Sequence, residues 1–144
     1  MSVIADTGAL YALFDKNDQD HGRVRDALDH VSGAILVPTA ILGELDYLLR
    51  EWLGVDAELA FLASLRVGAF RLEEITTADC VRCEELLRTY RDLDLGLADA
   101  AVIATAERLK VPTILTLDER GFRVVQSRIG PLQLLPADLA GGVA

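Results

Sequence analysis

Four acids stand at positions where a solvated surface does not explain them. Asp6 interrupts the apolar run Val3-Ile4-Ala5 and is followed by Thr7-Gly8. Glu44 lies between Ile41 and Leu48 on a helical pattern whose apolar positions include Ile41, Leu45, Leu48, Leu49 and Trp52, so it borders the stripe that should face the core. Asp99 is the sole charge in the apolar segment Leu95–Ala106. Asp118 follows Thr113-Ile-Leu-Thr116 and Leu117. Three of them have a structural account as well: Glu44 as a rim residue reaching water, Asp99 as a buried acid satisfied by an Arg or by backbone donors, Asp118 as a turn or capping acid. If all four share one cleft, each pair about 5 Å apart costs roughly 3 kcal/mol at an effective dielectric near 20. Such a site takes up protons or holds hard cations. Carboxylate oxygens suit Mg²⁺ or Mn²⁺ better than Zn²⁺, which prefers His and Cys.

The elements that must position these acids follow from the apolar pattern. Short apolar runs at Val3–Ala5, Ala34–Val37, Phe70–Leu72, Thr113–Thr116 and Leu132–Leu134 predict strands covered on both faces. Helical patterns separate them: from Thr7 or Gly8 to Phe14, from Asp20 toward His30, from Thr39 to about Leu53, from Asp56 to near Arg66, from Thr77 to Tyr90, and from Asp94 to near Lys110. Asp94 is expected to cap the last of these; five residues before Asp99, it would point about 140° away from it and not share an ion. Alternating strands and helices predict an α/β fold with right-handed crossovers and a parallel sheet. The acids then all fall at the carboxyl ends of the strands, where such sheets bind ligands. Residues 1–139 are expected to form one domain, with Ala140–Ala144 a frayed tail.

The chain has 144 residues, 51% of them hydrophobic, and a formal net charge of −9 from 14 basic and 23 acidic residues. That balance argues against binding nucleic acid through a broad basic surface. No apolar run is long enough for a bilayer and no signal-peptide pattern is present, so no membrane association is expected and the cytoplasm is the expected location.

The segments Ile4-Ala-Asp6-Thr-Gly-Ala-Leu10, Pro38-Thr-Ala-Ile-Leu-Gly-Glu44-Leu45, Asp94-Leu-Gly-Leu-Ala-Asp99-Ala100 and Thr116-Leu-Asp118-Glu-Arg-Gly-Phe122 together resemble, in order and spacing, the PIN-domain ribonucleases of the VapC toxin type. The resemblance runs from Val3 to about Leu135. It implies a three-layer PIN-like fold with a central parallel sheet in the order 3-2-1-4-5. It also implies an acidic pocket of Asp6, Glu44, Asp99 and Asp118, with Asp6 and Asp99 the surest Mg²⁺ ligands and Thr7 and Thr116 as polar neighbours. The implied activity is metal-assisted hydrolysis of RNA phosphodiester bonds, with Glu44 or Asp118 orienting water or acting as general base. The implied partners are an RNA substrate, a second copy of the chain, and an antitoxin whose tail blocks the pocket. Arg120, Arg123 and Arg128 follow Asp118 closely and are candidate phosphate clamps; a solvated basic stretch is an equal account.

Other features carry less. Cys80 and Cys83 have CxxC spacing but no second pair, so neither a zinc site nor a redox role is expected. His21 and His30 bracket a charged helix and are expected at the surface. The helix pair Leu45–Leu65 is more apolar than one core face needs, which suggests core plus an interface. Two competing readings are a receiver-like signalling domain and a non-catalytic nucleic-acid-binding module of the same fold. A receiver would place adjacent acids after the first strand and a Lys after the last; here Asp6 is followed by Thr-Gly. A dehalogenase-type phosphatase would need an Asp where Gly8 stands.

Overall fold

A computed structural model describes residues 1–139 of the chain; the expected frayed tail, residues 140–144, lies outside them. Five parallel strands form one sheet in the order β3-β2-β1-β4-β5. They are β1 Val3–Ala5, β2 Ile35–Pro38, β3 Arg71–Glu73, β4 Thr113–Leu115 and β5 Gln133–Leu135. The observed order is the expected 3-2-1-4-5, and it differs from the 2-1-3-4-5 order of receiver domains. A receiver-like domain is therefore excluded.

β1 sits at the centre. Val3, Ile4 and Ala5 are all 0% exposed, and since successive side chains point to opposite faces, helices must cover both. Ile4 pairs with Leu36 of β2 and with Ile114 of β4. The apolar segments that looked like doubly covered strands are so at β1 and β4, but the edge strand β3 is not: Arg71 and Leu72 are exposed.

Seven helices connect the strands: α1 Thr7–Phe14, α2 His21–Leu28, α3 Leu42–Leu53, α4 Val55–Arg66, α5 Thr77–Thr89, α6 Leu97–Leu109 and α7 Arg120–Val124. Gly54, with φ +89°, separates α3 from α4, a backbone conformation that glycine adopts without a Cβ penalty. α6 packs against β1, β2 and β4. Its run of Ala residues, with Val102 and Ile103, is buried, because small side chains let a helix lie close on the sheet. α5 packs in turn on α6 through ion pairs described below.

Two sequence expectations fail here. Asp94 does not cap α6. It ends a 3₁₀ turn, Arg91–Leu93, in the left-handed region at φ 55°, and Gly96 occupies the capping position without any side-chain bond. Trp52 does not join the buried stripe of α3. That stripe narrows to Ile41, Leu45 and Leu49, Leu48 is half-buried, and Trp52 in the last turn is 70% exposed.

Candidate active site

Asp6 begins where β1 stops pairing. Its N–H donates to the carbonyl of Leu115 at 3.0 Å, which places it level with the end of β4. It is also the N-cap of α1: Oδ1 accepts the N–H of Ala9 at 3.0 Å. A carboxylate at that point satisfies a free helix donor and meets the positive end of the helix dipole. Oδ2 accepts the hydroxyl of Thr116, and the Thr116 oxygen accepts the Asp118 N–H at 3.0 Å. One hydroxyl thus ties the first acid to the turn that carries the last. Asp6 is buried, and burial is the main reason its carboxyl is pushed up to about 6; the hydrogen bonds from Thr116 and Ala9 oppose the rise, while Asp99 and Asp118 add to it.

Asp99 stands in the first turn of α6 and is half-buried. Burial raises its carboxyl above the ordinary range, and the charges of Asp118 and Glu44 raise it further. Glu44 stands in the first turn of α3. The pressure to pair a buried carboxylate, expected from its neighbours in sequence, does not arise, since Glu44 is exposed and reaches water from the rim. Asp118 is exposed too; its Oδ1 accepts the Arg120 N–H at 3.2 Å, the turn geometry expected of an acid in that place.

These four acids line a single cavity of about 380 Å³ together with Thr7, Gly8, Ile41, Ala98 and Leu117. The reason is topological. Asp6 and Asp118 end neighbouring strand units, while Glu44 and Asp99 sit in first turns of helices, and all four lie at the carboxyl end of the sheet. Among the described residues no Lys or Arg lines the cavity. Thr7 is buried, and its hydroxyl has no hydrogen-bond partner among the described residues.

The basic candidates separate. Arg120 lies beside the cavity, with Nε 3.9 Å from Asp118 and its side chain 94% exposed. Arg123 is instead held by Glu119 and Asp138, and Arg128 by Glu85, so neither guanidinium lines the acidic cavity. The carboxylates that capture them are local or reached only through the fold, which is why the sequence spacing misled. His21 is half-buried with Nδ1 at 2.9 Å from the Ala12 carbonyl, His30 is exposed, and neither joins the acids. Cys80 and Cys83 are both free; burial pushes the Cys83 thiol up to about 11. Sequence reasoning missed Gly8 as a lining residue. The signal was present, since Gly8 follows the capping acid by two residues and so stands in the same helix turn.

A parallel 3-2-1-4-5 sheet with carboxylates gathered at its carboxyl end defines the class, and comparison with known proteins agrees. The family model described as PIN domain matches residues 3–127, and the chain belongs to that family. Within it the chain stands with the VapC-type members: Ribonuclease VapC26 of Mycobacterium tuberculosis is 40% identical over 124 residues, covering 86% of this chain and 92% of that protein. Among solved structures, VapC20 of Mycobacterium tuberculosis, described as a sarcin-ricin loop cleaving toxin, superposes with a TM-score of 0.74 at 22% identity, covering 83% of this chain and 92% of the other. A toxin–antitoxin complex from Klebsiella pneumoniae gives a TM-score of 0.69 at 19% identity, covering 91% and 98%. At those identities the two structures speak for the fold.

Proposed function

We propose that the chain is a metal-dependent endoribonuclease that hydrolyses RNA phosphodiester bonds as the toxin of a cytoplasmic toxin–antitoxin pair. The observation that carries this reading is the convergence of Asp6, Glu44, Asp99 and Asp118 on one cavity that no basic side chain among the described residues lines. The name of its 40% identical relative supports the RNA substrate.

The donor set is all oxygen, which fits Mg²⁺, with Mn²⁺ as a substitute, and not a soft metal. Among the described residues no three His, Cys, Asp or Glu groups close into a cage of their own. Mg²⁺ is commonly held by one or two carboxylates and completed by water and substrate phosphate. Asp6 and Asp99, the two more deeply set acids, would hold it. A bound divalent cation supplies Lewis acidity toward water and phosphate. The chain supplies the rest. Thr116 and the Ala9 N–H fix the two oxygens of Asp6. Glu44 or Asp118, at the wet rim, orients the attacking water or acts as its general base. Arg120 is placed to meet the phosphate backbone outside the cavity.

The structural neighbour from Klebsiella pneumoniae supports an antitoxin partner, since it is described as a toxin–antitoxin complex. Exposed Tyr47, Trp52, Leu59 and Leu62 on α3 and α4 support protein contacts there, with a second copy or with that partner.

The test is sequencing of RNA ends made by the wild type and by Asp6→Asn, each with Mg²⁺ and with EDTA. Discrete cuts from the wild type with Mg²⁺ alone are expected. Cuts that persist at the same rate in EDTA, or in Asp6→Asn, would overturn the reading.

A further inference from the structure

The acidic cavity has to accept a phosphodiester, yet no cationic side chain among the described residues lines it. Basic side chains stand just past the first turn of α6. Ala98 and Asp99 line the acidic cavity, and the residue before them, Leu97, lines a second cavity of about 390 Å³. Successive helix residues point about 100° apart, so the two spaces flank one turn. The second cavity lies between that turn and α5. Cys80, Cys83, Leu87 and Arg88 of α5 line it, as does Arg91, which opens the 3₁₀ turn Arg91–Leu93. Its arginines differ from those of two other cavities, where Arg82, Arg108, Arg123 and Arg128 are each held by carboxylates. Arg91 is exposed and has no carboxylate partner among the described residues. Arg88 pairs with Glu84 alone, and the two side chains are 65% and 64% exposed; so open a pair is weak and yields readily to a phosphate. Leu97 is 57% exposed. An apolar side chain open to water beside an unpaired guanidinium suits a nucleotide, which offers an apolar base face and an anionic phosphate. In a chain of net charge −9, a polyanion needs such a place to touch without repulsion.

We propose that this cleft is a nucleotide subsite. RNA bound with its scissile phosphate at the carboxylates crosses the first turn of α6, lays a neighbouring base on Leu97 and sets the next phosphate against Arg91. This rests on the nuclease reading above and extends it to the part of the substrate outside the acidic cavity. Arg91 holds the strand and takes no part in the reaction itself.

The experiment first reads the cleft in the unaltered chain. Cys80 is exposed there, whereas Cys83 is buried and its thiol is pushed up to about 11, so iodoacetamide should alkylate Cys80 far faster. The rate is followed by intact-protein mass spectrometry with and without saturating single-stranded RNA in Ca²⁺, the RNA being checked for integrity on a gel. RNA is expected to slow it about fivefold or more. Affinity and its salt dependence are then measured by fluorescence anisotropy for the wild type, Arg91→Gln, Leu97→Ala and Arg71→Gln. The last removes the same charge at the start of β3, the amino end of the sheet. Losing one phosphate contact on a single strand lowers the slope of log affinity against log salt by about 0.7, which is about fivefold in affinity at roughly 0.1 M salt. That is the expectation for Arg91→Gln. Leu97→Ala should weaken binding about threefold at an unchanged slope, and Arg71→Gln should do neither. Cys80 alkylation unchanged by RNA, or binding by Arg91→Gln or Leu97→Ala no weaker than by Arg71→Gln, overturns the inference and leaves the nuclease reading intact. A dimer lost in Arg91→Gln by sedimentation velocity also overturns it, since the cleft would then belong to a second copy of the chain. A wild type that cuts no RNA in Mg²⁺ overturns both.

Discussion

Asp6 carries opposing demands within one side chain. Its burial favours the neutral acid and its hydrogen bonds favour the carboxylate, and burial prevails, leaving the carboxyl near 6. The group is thus raised above its unfolded value of 3.8. Below about pH 3.8 both states hold the proton and no penalty exists; as pH rises toward 6 the unfolded chain releases it first, and stability falls. Above about pH 6 the penalty is complete, at roughly 3 kcal/mol. Asp6→Asn, which cannot ionise, should therefore raise the melting temperature of the metal-free protein at pH 7.5 and flatten its pH dependence between about 4 and 6, as read by calorimetry. Thr116→Val removes a hydrogen bond that lowers the Asp6 pKa and leaves the Asp118 N–H without its acceptor. NMR titration of the Asp6 carboxyl carbon should then show a higher midpoint than in the wild type, and nuclease activity should fall about tenfold or more as Asp6 loses its fixed position.

At the scale of elements, the ion pairs made by α5 divide by burial. Arg82 meets Glu107 through Nε at 2.7 Å and Nη2 at 2.9 Å, and Glu107 also accepts the Arg128 N–H at 2.9 Å; the Arg82 and Glu107 side chains are 16% and 6% exposed. Glu107→Ala leaves the largely buried Arg82 guanidinium with only Glu85, at 3.2 Å, and the Arg128 N–H without its acceptor, and should cost about 3 kcal/mol by denaturant unfolding. Arg88→Ala breaks only the exposed pair with Glu84 and should cost less than about 0.5 kcal/mol. Long periodic elements were legible in the sequence because burial writes itself into the pattern: α6 could be read from its nearly unbroken apolar run, β1 from Val-Ile-Ala ending in an acid. What failed was decided by neighbours that the pattern does not contain. Trp52 looks like core from its spacing and is exposed because no described residue covers the last turn of α3 on that side. Asp94 has the chemistry of a cap and lies two residues too early, in a left-handed turn. Arg123 follows a pocket acid closely and is captured by Asp138, fifteen positions on. The four acids were legible as anomalies; that they converge required the strand order, which came from resemblance and not from spacing.

For the whole molecule, the acidic cavity adds to a net charge of −9, and both disfavour binding RNA without cations. Mg²⁺ should consequently raise the melting temperature, with the increment shrinking as pH falls below about 6, because protons then compete at Asp6. An increment that stays constant from pH 5 to pH 8 would show that the ion binds elsewhere.

The assembly of Asp6 has a consequence for the cell that makes the protein. Its strand lies at the middle of the sheet, and one of its oxygens is held by a hydroxyl 110 residues further on. Such distant pairings form late. On the ribosome the first acid is made long before the hydroxyl that holds it, so Asp6 waits unheld until β4 and Thr116 have followed.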